Sequence, residues 1–453
     1  MVAVAPLPER PRLRALEIVP FREHGRRSFL IEDPAGFLES PLQVSSAALL
    51  LLTLCDGRRT QDEIRALFTE RTKQPIESAE LTEFLTTMDG SWLLDSPRFQ
   101  VRREELELAF AGSPTRTAAH VGAAYSADPS KLAAELDGWL SHGIRGGRVR
   151  GRLRGLVTPH IDFHRGGAGY GRAYSPLADR ERPEVVVLLG TAHAGESARF
   201  IVCPKGFETP LGFLPADRSF LGRLEARLPA DPRRGLLAHR REHSLEFQAV
   251  WLAHLFPGEP RPAIVPILAT SFDDLMLAGA DPLTHPETAP FLAALRATWL
   301  EEKRRVLVIA GADLSHVGPR FGDTRRTSPE FMTAVGERDR ATLDAAASGA
   351  AGSFFSSVAA HRNCDRICSV ASIFAALHTV GSHDADVTVY DQAIDPHGEL
   401  AVTFGGVALY GADTGPGLAR TVAARRTIRQ SHRDVTAAPL ARPAMTKPRK
   451  TSP

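Results

Sequence analysis

Residues 305–316 read RVLVIAGADLSH, an apolar run that ends in a turn followed by a histidine. Two further runs, RGLVTPH at 154–160 and EVVVLLGTAH at 184–193, end in the same way. Each run is short, rich in β-branched residues and apolar at consecutive positions, which is typical of strands buried on both faces. Helical patterns separate them, as in EHSLEFQAVWLAHLF at 242–256 and APFLAALRATWLEEK at 289–303. Strands that alternate with helices predict an α/β fold, in which helices flank a sheet.

The size and composition of the chain predict a soluble protein of more than one domain. It has 453 residues, of which 43% are hydrophobic and 24% charged, and its 55 basic residues nearly balance 53 acidic ones. This balance argues against a nucleic-acid-binding protein. No apolar run reaches the roughly 18 to 20 residues of a membrane helix, and the N-terminal residues lack the apolar core of a signal peptide. Because its four cysteines are mostly far apart, we expect a cytoplasmic protein without a disulfide framework.

Composition divides the chain into four regions. Residues 1–100 form an N-terminal module, residues 101–150 a helical linker, residues 151–412 the α/β domain and residues 413–453 a basic tail. In the linker, SKLAAELDGWLSHG has leucines spaced by four residues, as on one face of a helix. The tail is rich in Ala, Arg, Pro and Thr and has too few bulky apolar residues to bury, so we expect it to be disordered.

The N-terminal module shows the pattern of three small helices. The first is expected over residues 45–55. A second begins at Thr60, with Glu63 three residues later completing a capping box, and a third begins near Ser78. Residues 91–99 suit a short hairpin, which would make the module a winged helix, although it lacks a basic recognition helix. Its segment LLTLCDGRRTQDEIRALF also resembles the PqqD-like modules that hold peptides, and a small packing or docking domain is the alternative.

Three histidines follow three of the predicted strands at equivalent positions: His160, His193 and His316. Because the carboxyl ends of parallel strands meet at one edge of an α/β sheet, we expect these side chains to converge there. Imidazole is the commonest neutral nitrogen ligand of metals and also transfers protons near neutral pH. Asp162 and Asp313 lie close to them in sequence and can orient an imidazole, bind a metal or cap a turn.

The segment HRREHSLEFQ starts a predicted helix and places His239 and His243 four residues apart. The glutamate precedes the second histidine rather than following the first, so the HExxH zinc motif is not formed. His243 and Glu246 share one helical face. We expect these two side chains to act in a hydrogen-bonding network that faces the site.

Among the cysteines, Cys364 has the neighbours of a reactive thiol. In RNCDRICS it precedes an apolar helix, whose N-terminus, together with Arg366, favours the thiolate. Cys368 lies one turn further on and competes for the same role. Cys55 and Cys203 are expected to be structural.

Several segments, in their order along the chain, resemble the Memo family, the AmmeMemoRadiSam system protein B group of prokaryotes. The matching pieces lie between residues 155 and 411 and are TPHIDFHRGGAGYGRAY, VVLLGTAHAG, TPLGFLPAD, EHSLEFQAVWLAHLF, IVPIL, GADLSHVG, CDRICSVASI and VTVYD with GVALYG. The resemblance implies a mixed sheet flanked by helices, similar to the LigB-type class III extradiol dioxygenases. Asp365 stands where the family usually has glycine, so the resemblance does not identify the substrate.

The resemblance also implies a metal pocket. Carried over residue by residue, its metal ligands are His160, His193 and Cys364, with His316 nearby as a catalytic base and acid and Asp313 supporting that histidine. Two histidines and a thiolate suit copper or iron, and zinc is possible.

The expected function is metal-dependent redox chemistry on a small-molecule or peptide substrate. The alternatives are a zinc hydrolase and a non-enzymatic peptide-binding or scaffold protein. The family's group name implies a radical SAM protein and an AMMECR-type protein as partners. Neither a nucleic acid nor a membrane is expected as a partner.

Overall fold

The computed structural model of the chain describes residues 7–23, 26–38, 40–143, 151–178, 180–196, 198–381, 384–412 and 416–419. Its strands are β1 (Glu17–Glu23), β2 (Arg26–Glu32), β3 (Leu42–Ser45), β4 (Thr115–Arg116), β5 (Arg152–Thr158), β6 (Val185–Thr191), β7 (Phe200–Val202), β8 (Gly206–Thr209), β9 (Gly212–Leu214), β10 (Ala263–Ala269), β11 (Val306–Gly311), β12 (Asp313–Val317), β13 (Asp384–Ile394) and β14 (Ala401–Gly411). Its α-helices are α1 (Ser46–Leu54), α2 (Gln61–Thr72), α3 (Ser78–Gly90), α4 (Pro97–Gly112), α5 (Pro129–Leu140), α6 (Phe163–Tyr174), α7 (Arg218–Glu225), α8 (His243–Leu255), α9 (Asp273–Ala278), α10 (Ala289–Glu301), α11 (Pro329–Ala347), α12 (Ala351–Ala359) and α13 (Val370–Val380). Short 3-10 helices span Leu236–Arg240 and Pro319–Phe321.

One large sheet forms the centre of the α/β region. Its strands lie in the order β12-β14-β5-β11-β6-β10-β7, and β13 also pairs with β14. The strands β5, β11, β6 and β10 are parallel, whereas β7, β12, β13 and β14 pair antiparallel with their neighbours. Every residue of β6 and β11 is buried. The prediction of an α/β fold is confirmed, and the three quoted apolar runs contain three of the four parallel strands, β5, β6 and β11.

Helices cover both faces of this sheet. Because alternate residues of a strand point to opposite faces, each strand contributes side chains to two separate cores. Val187 and Val308 contribute to a core with α7 and α9 to α13. Leu188 and Ile309, one position further along their strands, contribute to a second core with α5, α6 and α8. None of the helices in the described part of the chain is long and apolar enough to cross a bilayer.

The N-terminal region contains a three-stranded antiparallel sheet, in the order β1-β2-β3, followed by three helices. The predicted helices are present as α1, α2 and α3, and α2 begins with the predicted capping box. The hairpin predicted over residues 91–99 is wrong: Leu94 forms an isolated bridge with Leu13, and Ser96 caps α4, which begins at the next residue. These residues therefore form no wing, and the winged-helix assignment is not confirmed. The pattern of the first 45 residues did not predict the sheet.

The predicted linker contributes to the packing of the α/β region. Leu132 and Leu136 of α5 are buried, as their spacing predicts. Trp139 of the same helix lies against α6, beside Gly167 and Gly171. Residues 144–150, in the arginine-rich part of the linker, lie outside the described residues.

Most of the predicted basic tail also lies outside the described residues, which include only 416–419 of it. In that short piece Leu418 is fully buried. Its backbone N–H donates to the carbonyl of Leu153 in β5 at 2.7 Å. The chain that leaves β14 therefore packs on the central sheet for at least these residues, and the prediction of disorder does not hold for them.

The close packing of α5 on α6 gives a first prediction about stability. A Cβ at Gly171 would collide with the backbone carbonyl of Trp139, which cannot move without shifting α5. Gly171→Ala is therefore expected to lower the free energy of unfolding by about 1 to 3 kcal/mol, measured by urea denaturation. The matched control is Gly222→Ala in α7, where the added Cβ has no neighbour within 4 Å. That change is expected to raise stability by about 0.5 to 1 kcal/mol, and equal effects of both variants would contradict the packing described here.

Candidate metal centre

Two histidines meet at the carboxyl edge of the central sheet. His160 follows β5 by two residues, and His193 follows β6 by two residues. The strand β11 lies between β5 and β6, so the two histidines stand on either side of its end. Their ring centroids are 5.1 Å apart. The convergence expected from the strand ends is present for this pair.

A third histidine, His243, joins them from the first turn of α8. Its ring stacks on that of His193 with 4.6 Å between centroids, and its centroid lies 5.2 Å from that of His160. One ring nitrogen from each of the three histidines lies within 4.8 Å of the other two. This group has the donor atoms and the spacing to hold a metal ion.

The carboxylate of Glu242, the N-cap of α8, fixes the orientation of His193. It accepts hydrogen bonds from the backbone N–H of His193 at 3.1 Å and of Ser244 at 2.9 Å, and it lies 3.0 Å from Nδ1 of the His193 ring. Burial raises the pKa of Glu242, but the charges of His193 and His243 outweigh it and hold that pKa well below its usual range. Because Nδ1 is engaged, Nε2 of His193 is left for a ligand.

His160 is oriented in a similar way by the end of β11. Its Nδ1 donates to the carbonyl of Gly311 at 3.0 Å. The buried carboxylate of Asp313 accepts hydrogen bonds from the backbone N–H groups of His160 at 2.8 Å and Ile161 at 3.1 Å. Asp313 thus holds the turn that carries His160, and Nε2 of His160 is directed towards the pocket.

The atom opposite that nitrogen is the sulfur of Cys368. Its Sγ lies 3.4 Å from Nε2 of His160 and 3.2 Å from Oγ of Ser369. Burial raises the pKa of the Cys368 thiol, but the charges of His160 and His316 and the hydrogen bonds from His160 and His193 outweigh it, so this pKa lies well below its usual value. Burial lowers the pKa of His160, but Asp313 and Cys368 raise it to about 9.

The structure does not bring Cys364 to this pocket. Its side chain is exposed and lines a small surface depression with Arg338 and Asp365. The prediction placed Cys364 near a helix N-terminus, but α13 begins six residues later, at Val370. The chain turns around Cys364, with positive φ angles at Arg362 and Asn363 before it and of 56° at Arg366 after it. Cys368 is the cysteine that lies beside the N-cap, so the closer distance to the helix start was the usable signal in the sequence.

His316 lies on β12 at the side of the pocket. Its Nδ1 is 3.0 Å from the carbonyl of Leu314, and its ring meets the edge of Phe321 with centroids 5.2 Å apart. Its charge contributes to the pKa shifts of both Cys368 and Asp313, which places it near them. The backbone N–H of His316 donates to the carbonyl of Asp365, which ties β12 to the turn before α13.

Two acidic residues proposed for the site have other contacts. Asp162 caps α6 and forms an ion pair with Arg165. Of the roles considered for it, this is the capping one. The carboxylate of Glu246 is fully buried, forms an ion pair with Arg116 and accepts a 2.5 Å hydrogen bond from Tyr125. It also accepts backbone N–H bonds from Ala119 and His120. Since these partners all belong to the segment before α5, Glu246 anchors that segment and does not face the histidines.

That segment contributes a residue that the sequence analysis missed. The ring of His120 lies 5.8 Å from that of His243, and its Nε2 is 2.7 Å from the carbonyl of Arg241. Its location in the predicted linker gave no reason to connect it with histidines that lie 40 or more residues away in the sequence. His239 is not part of this group of histidines: it is buried, and its Nε2 lies 2.9 Å from the carbonyl of Ile201.

The donor set fits a metal ion of intermediate or soft character. A tetrahedral metal with bonds of about 2.0 Å to nitrogen and about 2.3 Å to sulfur separates these two atoms by about 3.5 Å. The observed 3.4 Å between His160 and Cys368 is close to this spacing. The hydrogen bonds to the Nδ1 atoms match the way in which metal-binding histidines are usually held.

Comparisons with known proteins give a consistent result. A family model described as "Memo-like protein" matches residues 116–406. A MEMO1 family protein of Aquifex aeolicus is 28% identical over 320 residues, which are 71% of this chain and 79% of that protein. A MEMO1 family protein of Thermus thermophilus is 30% identical over 270 residues, 59% of this chain and 75% of that protein. A solved structure of the uncharacterized protein JW3007 of Escherichia coli K12 aligns at 15% identity over 57% of this chain and 100% of that chain with a TM-score of 0.32, too low to bear on the fold.

Proposed function

Because the chain belongs to the Memo family, we propose that it is a metalloprotein that uses the pocket of His160, His193 and Cys368 for redox chemistry on a bound substrate. The observation that supports this most directly is the 3.4 Å approach of the Cys368 sulfur to Nε2 of His160. The Cys368 side chain is partly buried. A thiolate removed from water is costly unless it is paired, and a metal ion of positive charge satisfies it best.

The ligand types indicate which metal is expected. Thiolate is a soft ligand that favours copper or zinc, whereas a hard iron site commonly uses a carboxylate with two histidines. We therefore propose copper before iron and treat zinc as the redox-inactive alternative, which would support a hydrolase. His243 supplies a further imidazole next to His193, either as a fourth ligand or as a group that meets the substrate.

The bound metal would supply the electron transfer, and the surrounding side chains would prepare the substrate and its protons. His316 is the proposed proton carrier, because its Nδ1 is held at the carbonyl of Leu314 and its Nε2 remains to accept a proton. Glu242 and Asp313 orient the two histidines through the hydrogen bonds described above. Backbone N–H groups bond Oδ1 of Asp313 and one oxygen of Glu242. The second oxygen of Asp313, Oδ2, lies 3.7 Å from Nε2 of His160.

Two free cysteines four residues apart, Cys364 and Cys368, provide the test of this proposal. Cys368→Ser is expected to lower the metal content of the purified protein from about one ion per chain to a small fraction, because serine offers no thiolate at neutral pH. With Cu(II) added, the sulfur-to-copper absorption band of the wild type should disappear in this variant. The metal is measured by elemental analysis of protein purified without oxidation, which also distinguishes copper and iron from zinc.

Cys364→Ser is the matched control, since it removes a thiol only four residues away that lies on the surface. It is expected to keep the metal content and the absorption band of the wild type. If instead Cys364→Ser lost the metal and Cys368→Ser kept it, the pocket proposed here would be the wrong one.

A further inference from the structure

The strand that carries His316 is held only in part by its sheet. β12 stands at one end of the strand order, and its pairing with β14 changes register between Asp313 and His316. A strand at the edge of a sheet has one row of backbone N–H and C=O groups without a strand partner. Pairing with β14 therefore does not by itself fix the position of His316 relative to the rest of the metal pocket.

Two consecutive residues of the turn before α13 bond the backbone of His316. Its N–H donates to the carbonyl of Asp365 at 2.8 Å. Its carbonyl accepts a hydrogen bond of 2.9 Å from Nε of Arg366. Backbone groups that lack a strand partner need another partner when they leave water, and here the turn supplies one for both groups of this residue. The turn thus replaces the missing strand at the point where His316 stands.

The same turn is tied to β12 on the other side of Cys368. Oγ of Ser369 accepts a hydrogen bond of 3.2 Å from the backbone N–H of Asp313, the first residue of β12. Cys368 therefore lies in sequence between two residues that bond this strand, Arg366 and Ser369. These contacts hold its sulfur in a defined position relative to β12, at 3.4 Å from Nε2 of His160.

The guanidinium of Arg366 connects the turn to the loop after β12 as well. Its Nη2 donates to Oδ2 of Asp323 at 2.6 Å, and the same oxygen accepts the backbone N–H of Gly318 at 2.7 Å. Gly318 directly follows the last residue of β12. The planar guanidinium has several donors in a fixed geometry, so one side chain bonds the His316 carbonyl and the Asp323 carboxylate at the same time.

The backbone of the turn depends on such contacts. Arg366 has a φ of 56°, a left-handed conformation that residues other than glycine rarely adopt and that persists only where the surrounding structure imposes it. Arg338 of α11 holds the preceding residue through two hydrogen bonds to the carboxylate of Asp365, at 2.6 and 2.9 Å. Two arginines therefore maintain a turn that places Cys368 in the pocket.

We propose that Arg366 is a positioning residue of the metal pocket, which fixes the sulfur of Cys368 and the side chain of His316 relative to each other. The inference rests on the proposed function, because it takes Cys368 as a metal ligand and His316 as the proton carrier. Arg366 acts through these two residues, and it binds neither the metal nor the substrate itself.

The test compares Arg366→Gln with the wild type, using the full chain loaded with Co(II). Glutamine removes the guanidinium and keeps a polar side chain. The affinity for Co(II) is expected to fall about 10-fold, and the sulfur-to-cobalt absorption band should shift, because Cys368 moves relative to its partners. In the metal-free chain, hydrogen exchange of β12 should accelerate about threefold relative to that of β6, because the N–H of His316 loses a fixed acceptor.

Two controls separate positioning from stability. Arg362→Gln changes an exposed arginine of the same turn that also has a positive φ, and it should match the wild type. Arg304→Gln breaks ion pairs with Asp217 and Glu302 before the start of β11, at the opposite edge of the sheet. It should lower stability to urea without a change in the cobalt band. If Arg366→Gln also changed stability alone, the inference would be overturned.

Asp323→Asn decides the question if Arg366→Gln does not fold. Asparagine still accepts the N–H of Gly318 but removes the charge opposite the guanidinium, so the same band shift is expected with a smaller loss of affinity, about threefold. An unchanged band and affinity in this variant would contradict the positioning role while leaving the metal centre in place. A wild-type chain that takes up no Co(II) would overturn the proposed metal centre itself, and this inference with it.

Discussion

Replacing His193 by alanine is expected to leave the purified protein without a stoichiometric metal ion. The variant removes a nitrogen donor that lies at the end of β6 and that Glu242 holds in position. Loss of a residue that hydrogen-bonds a metal ligand typically weakens metal affinity about 10- to 100-fold. Loss of the ligand itself should weaken the affinity more than about 100-fold. The measurement is the metal content of wild type and variant purified in parallel without oxidation.

Two further variants test whether the loss of metal is specific to the proposed site. Glu242→Gln keeps an acceptor for the ring of His193 but removes the charge, so we expect an intermediate loss of affinity, about 10- to 100-fold. His397→Ala removes an exposed histidine on the loop between β13 and β14 and should keep the full metal content. Equal metal in the wild type and His193→Ala would rule out the proposed centre.

The largest effect on stability is expected from Glu246→Ala. The fully buried carboxylate neutralises the equally buried guanidinium of Arg116 and accepts hydrogen bonds from Ala119, His120 and Tyr125. Removing one partner of such a pair leaves an uncompensated buried charge and typically costs about 3 to 5 kcal/mol. We expect a loss of this size in the free energy of unfolding, measured by urea denaturation.

The exposed ion pair of Glu225 with Arg233 provides the control, and Glu225→Ala should cost less than about 1 kcal/mol. Glu246→Ala should also speed hydrogen exchange of the backbone N–H groups of residues 119 and 120, because it removes their acceptor. If the two variants were equally stable and exchange were unchanged, Glu246 would not have the anchoring role assigned to it.

Much of the fold follows from local pattern. The apolar runs that end in His160 and His193 predicted buried parallel strands, and alternation with helices predicted the layers that cover them. The capping box at Thr60 and the leucine spacing in α5 predicted helices that are present. The N-terminal sheet was missed, because its strands lack the clear apolar alternation that the central strands have.

The candidate site was predictable only where local sequence pattern fixes the position of a residue. Strand ends fix the position of the residues that directly follow them, so His160 and His193 could be placed from the sequence. Nothing comparable fixes a residue in a turn. Cys364 and Cys368 are four residues apart, and only the left-handed turn before α13 decides that the first is exposed and the second meets His160.

The sequence by itself determined the alternation of parallel strands and helices in the α/β region and the edge of the sheet where two histidines meet, because both depend on short-range periodicity. The tertiary structure alone decided which cysteine faces them, that His243 and His120 approach, and that Glu246 is paired with Arg116. These contacts join residues that are distant in sequence or lie in irregular turns, and they depend on how separate elements pack together.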